Sequence, residues 1–211
     1  MSAFPFASYF SRFALSPLAS WELPPWLLTT RASTIVTDLL ATLPPGYQIA
    51  DDVAVHGTAR VERGALLKGP LIVGPRCFIA AGALVRGGNW LDEDCVLGPG
   101  CELKSSFLFR AARLAHFNFV GDSLLGEDVN LEAGSLLCNY WNEREDKRIH
   151  VLVAGERQAT GAEKFGSLVG DGCRIGANAV LAPGTVLASR SVVGRTQLID
   201  QDAVPAAAPP R

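Results

Sequence analysis

Charge is scarce in this chain. Charged residues make up 19% of its 211 residues and the formal net charge is −2. That balance gives no basic face for nucleic acid. No apolar run approaches the eighteen or so residues needed to cross a bilayer, so no membrane partner is expected. The first thirty residues lack a basic start, a clean apolar core and a small-x-small cleavage site, and no signal peptide is read there. The five cysteines form no C-x-x-C pair. Their odd number and spacing point to reduced thiols used as small apolar filler, and so to a reducing cytoplasm.

What the chain has instead is a sixfold rhythm. An aliphatic or aromatic residue recurs at every sixth position: Ile49, Val55, Val61, Leu67, Val73, Ile79, Val85, Leu91, Leu97, Leu103 and Phe109. Four residues after most of these comes a small or apolar one, including Val53, Ala59, Ala65, Leu71, Cys77, Ala83, Cys95, Cys101 and Phe107. This is neither the 3.6 period of a helix nor the alternation of one hairpin. It marks an all-β fold, a parallel β-helix whose three hexads make one triangular coil. Residues eighteen apart should then stack about 4.8 Å from one another.

Three stretches depart from the rhythm. Residues 1–47 form an aromatic arm (Phe4, Phe6, Tyr9, Phe10, Phe13, Trp21, Trp26) and a short helix capped by Ser33 and stopped by Pro44-Pro45. So many aromatics should cover a solenoid end or a neighbouring subunit. Between Phe109 and Leu125 the spacing is sixteen, so the register slips. Residues 142–163 alternate, turn at Ala154-Gly155-Glu156 and return, which predicts an inserted β-hairpin. The β-helix is therefore expected over residues 48–199, with a disordered Pro-Ala-rich tail over 200–211.

The eighteen-residue period places Lys68, Arg86 and Lys104 in one outward row. Such a row is either a solvated stripe or an anion site, because phosphate between Arg and Lys converts repulsion into charge-assisted hydrogen bonds. His116 falls inside the register slip. Irregularities in a repeat fold are where function is commonly grafted.

The series Glu102-Leu103-Lys104, His116, Gly121-Asp122, Gly126 to Gly134, Cys138-Asn139-Tyr140, Lys164-Phe165-Gly166 and Val169-Gly170-Asp171 resembles the acetyltransferase domain of N-acetylglucosamine-1-phosphate uridylyltransferases. The hairpin before Lys164 is similar to the archaeal sugar-1-phosphate nucleotidyltransferase/acetyltransferase branch. The resemblance covers roughly residues 80–195. It implies a left-handed β-helix, an exception to the usual right-handed crossover, and a homotrimer with sites between subunits. It implies acetyl-CoA as co-substrate and a phosphorylated or nucleotide-linked amino sugar as acceptor. Carried over by motif, His116 is the general base, Arg86 and Lys104 hold the phosphate, and Asn130 and Lys164 bind the sugar. Ala133, Asn139, Tyr140 and Ala177 line the acetyl-CoA side.

Three features depart from that pattern. Phe119 stands where a tyrosine is expected, Ala177 stands where a serine is expected, and the nucleotidyltransferase part has no counterpart in residues 1–47. They leave open a non-catalytic assembly module. A zinc hydratase of the same fold needs three converging imidazoles. His56, His116 and His150 are too dispersed for that, and no metal is expected.

Overall fold

The computed structural model describes residues 4–202. Three walls of short parallel strands wrap a single aliphatic core, and each wall contributes seven strands to the coils. Wall A holds the strands that run from Val53–His56 to Thr185–Leu187. Wall B runs from Arg60–Val61 to Val192–Val193, and wall C from Leu66–Leu67 to Leu198–Ile199. The early register is eighteen residues per coil, as in Val53↔Leu71 and Leu67↔Val85. Val85, Leu91, Leu97 and Leu103 point inward, fully buried, with Cys77, Cys95, Cys101 and Cys173 as the small residues between them. All five cysteines are free. Burial is the largest influence on the Cys95, Cys101, Cys138 and Cys173 thiols and raises each above its ordinary value.

Five sequence-based expectations need correction. First, Ile49 is not an inward residue of the repeat. It is 56% exposed on a strand, Tyr47–Ala50, that pairs antiparallel with the first wall A strand. Asp51 and Asp52, both in the left-handed region, make the two-residue turn that such a hairpin needs. Second, the slip is two separate one-residue deletions, at Leu103→Leu108 and Val120→Leu125. Leu91↔Leu108, Leu97↔Leu114, Leu103↔Val120 and Leu108↔Leu125 are all seventeen apart. Phe107 and Phe109 consequently leave the inner core and join an outer cluster.

The physical cause of the deletions lies at the corner between walls C and A. The coil below turns that corner through Gly87 and Gly88, whereas Ser105 and then Asp122 turn it alone, each with a left-handed φ. A buried ladder supports the tightened corner. Ser106 N–H donates to Asn89 Oδ1, Ser123 N–H to Ser106 Oγ, and Ser167 N–H to Ser123 Oγ, at 2.9–3.0 Å.

Third, the arm caps neither end. It runs along the outside of wall A, whose outward residues (Ala54, Ile72, Trp90, Phe107, Leu124, Leu168, Val186) are all buried beneath it or the hairpin. At one end Ser11 bonds Asp171 and Ser189 Oγ donates to Tyr9 O. At the other, two helices, α1 (Pro25–Thr30) and α2 (Ala32–Leu40), approach the early coils. Fourth, Ser33 does not cap α2; its hydroxyl donates to Gly87 O at 3.2 Å. The hairpin is present as His150–Val153 paired with Glu156–Ala159. Fifth, the expected tail begins too early. Asp200 and Asp202 hold Arg144 of the hairpin, and Asp202 also holds Arg157. The remainder of that stretch, 203–211, lies outside the described residues.

Candidate functional site

The two edges of wall C hold most of the expected site residues. At the edge shared with wall B, successive coils turn through Pro99, His116, Ala133 and Ala177. Phe117 N–H donates to Pro99 O, Gly134 N–H to His116 O, and Asn178 N–H to Ala133 O, at 2.9–3.0 Å. The residue after each turning position is left-handed: Gly100, Phe117, Gly134 and Asn178. His116 is exposed on this column, with Ala133 and then Ala177 on the coils above it. Glu132 clamps the corner. Its carboxylate accepts the Ala177 N–H at 2.9 Å and pairs with Arg195 at 3.0 Å, and these contacts hold it below the usual carboxylate range. Asn130 lies on the neighbouring wall B, between Arg113 and Arg174.

At the opposite edge of wall C, Arg86 and Lys104 are direct partners in register. Lys68 precedes them, its N–H donating to Val85 O. The row is therefore real, but two of its cations are occupied. Arg86 pairs with Glu102 at 2.6 Å. Lys104 Nζ donates to both oxygens of Asp122 at 3.1 and 2.8 Å, and its side chain is only 19% exposed. Asn139 Nδ2 donates to the same Asp122 carboxylate. Gly121 occupies the next rung after Lys104, and a Cβ there would meet the Asn139 amide at 2.7 Å. Tyr140 follows, half exposed, with the Lys147 ammonium over its ring. Lys164, exposed, precedes Phe165, whose N–H donates to Asn139 O at 3.1 Å.

The sequence-predicted residues thus fall into two groups. His116, Ala133 and Ala177 share the B–C edge, with Asn130 beside them. Arg86, Lys104, Asn139, Tyr140 and Lys164 share the C–A edge. Lys104 is five residues on from Pro99, beside His116, along one side of the coil, a span of at most roughly 17 Å. One chain does not bring the histidine to the cations. Residue reasoning overlooked Glu102, Asp122 and Glu132, the carboxylates that neutralise or clamp the expected site. All three stand inside the motifs named above, and Glu102 lies sixteen residues from Arg86, across one coil.

The chain is thus a hexapeptide-repeat β-helix, with a histidine at one edge of wall C and a pair of cations at the other. No family model matches it. Among curated proteins it is 30% identical over 125 residues to the bifunctional protein GlmU of Methanococcus vannielii, covering 59% of this chain and 30% of that protein. It is 27% identical over 163 residues to the bifunctional sugar-1-phosphate nucleotidylyltransferase/acetyltransferase of Sulfurisphaera tokodaii, covering 77% of this chain and 40% of that one. The chain thus spans less than half the length of these two relatives. The solved structure of PerB from Caulobacter crescentus, in complex with CoA and GDP-perosamine, covers 67% of this chain and 51% of its own. Its sequence identity to this chain is 16% and its TM-score 0.31.

Proposed function

We propose that the chain transfers an acetyl group from acetyl-CoA to the amine of a phosphorylated or nucleotide-linked amino sugar, at sites formed between subunits of a homotrimer. The observation that carries this reading is the exposed His116 on a corner column with Ala133 and Ala177, at the edge of wall C opposite Arg86 and Lys104. A second copy laid edge to edge would bring the Arg86–Lys104 edge to that column. The curated relatives, named as a nucleotidylyltransferase/acetyltransferase and as GlmU, support the same class of reaction.

In this reading Arg86 and Lys104 anchor the acceptor's phosphate and set its amine near the thioester. Positioning of that kind contributes several kcal/mol to lowering the barrier. His116 takes the amine proton, which suits an imidazole near neutral pH. The Ala133 N–H meets the developing oxyanion, worth about 3 kcal/mol. Asn139 and Tyr140 line the donor's path, with Ala177 on the His116 side, while Asn130 and Lys164 contact the sugar.

The test is steady-state acetylation of glucosamine-1-phosphate. His116→Ala should lower kcat by about a hundredfold or more. A loss below about tenfold removes His116 as the base. The ion pairs on Arg86 and Lys104 favour a second reading, a non-catalytic assembly module. Acetyl-CoA binding without turnover on a panel of amino sugars would favour that one.

A further inference from the structure

Asp122 is the most heavily engaged residue of the C–A edge. Its carboxylate holds Lys104 Nζ through both oxygens, at 3.1 and 2.8 Å, and takes the Asn139 amide as well. Its own backbone is fixed from two sides: its N–H donates to Lys104 O at 2.8 Å, and its C=O accepts the Gly166 N–H at 2.9 Å. Its side chain is 8% exposed and its φ of 46° is left-handed, as the single-residue corner requires. None of this is needed to close a coil. Ser105 closes the corner below in the same left-handed conformation without any charge.

A nearly buried carboxylate must keep its partners, because an unpaired one is costly. Anything that draws Lys104 away therefore makes Asp122 depend more on Asn139, and the reverse holds equally. Lys104 lies on the acceptor side of the proposed site and Asn139 on the donor side. We propose that Asp122 is a positioning residue that couples these two sides. It restrains Lys104 from binding anions in the empty site and fixes the Asn139 amide for the acyl donor. The assignment of sides rests on the acetyl-transfer reading. The carboxylate shared between Lys104 and Asn139 does not.

Inorganic phosphate, titrated calorimetrically into the full chain, is the probe. Asp122→Asn removes the competing charge and keeps the shape, and should bind phosphate about fivefold more tightly. Its KM for acetyl-CoA should rise by a similar factor, because a neutral amide oxygen anchors the Asn139 amide less firmly than a carboxylate does. A merely structural role would move both in the unfavourable direction. Asn139→Ala is the second variant and leaves the corner itself untouched. It should weaken phosphate binding about threefold, although Asn139 would not touch the phosphate, because Asp122 then leans wholly on Lys104.

Phosphate affinity unchanged in Asn139→Ala, or unchanged or weakened in a folded Asp122→Asn, overturns the proposal. So does a wild-type chain that binds no phosphate and gains no binding on Asp122→Asn. A wild-type chain that acetylates nothing removes the acetyl-transfer reading but leaves the phosphate comparison standing.

Discussion

Glu132 shows how one side chain holds the corner beside Ala133 and Ala177. It is solvent-exposed, so its pair with Arg195 adds little by itself. Its bond to the Ala177 N–H ties the turn of one coil to that of the coil below. Its pKa in the folded chain lies below the usual value of 4.5, so its contribution to stability is fully present above that value and fades as pH falls through the lower, folded one. Glu132→Gln should therefore unfold at a lower temperature than wild type at pH 7, by an amount that shrinks towards zero below pH 4 or so. Thermal melts across that range check it, and a gap that widens on acidification contradicts it. The row of Lys68, Arg86 and Lys104 was legible because an eighteen-residue period converts sequence into contact. Its neutralisation by Glu102 and Asp122 was not. Asp122 is eighteen residues from Lys104 and at a strict period would occupy the next rung of the row; the deletion puts Gly121 on that rung and Asp122 at the corner beside it.

Among elements, the arm contributes most to the outer layer. Phe10 is 1% exposed, stacks on Phe109 at 4.9 Å and lies within 6.2 Å of the Phe6 and Phe13 rings. Phe10→Ala should cost about 3–5 kcal/mol, read as a lowered denaturant midpoint. A shift under about 1 kcal/mol would mean that the arm is loosely held. The inner core, the walls and the hairpin could be read directly from spacing, since an inward residue must repeat wherever a coil repeats. The arm's location could not. Its aromatics have no period, and their partners are the outward residues of wall A. Those residues do carry a signal: wall A strands such as Leu71–Val73 and Thr185–Leu187 are buried throughout, which requires something on their second face. Phe109 hid the first deletion because an apolar residue happens to stand six positions after Leu103, where it packs outward under the arm.

At the scale of the molecule, the two edges of wall C are the central fact. Wall A is covered by the arm. Wall C presents Leu66 and Leu84, then Glu102, then Phe119, Leu136, Val180 and Leu198 outward, so one charge interrupts an otherwise apolar row, and Leu66 and Leu198 are more than half exposed. An apolar row of this length beside both chemical edges fits a face that meets another copy. The chain mass is 22.4 kDa, and light scattering should return about three times that value. A monomer that retains acetylation would remove the shared-site account.

The most direct measurement is complementation between two inactive variants. His116→Ala loses one edge of the site and Lys104→Ala loses the other, so each alone should be nearly inactive. Co-expressed and purified as mixed assemblies, they should recover about a quarter of wild-type acetylation, because random mixing rebuilds that share of intact interfaces. Mixed assemblies that form but recover no activity would contradict a site shared between chains.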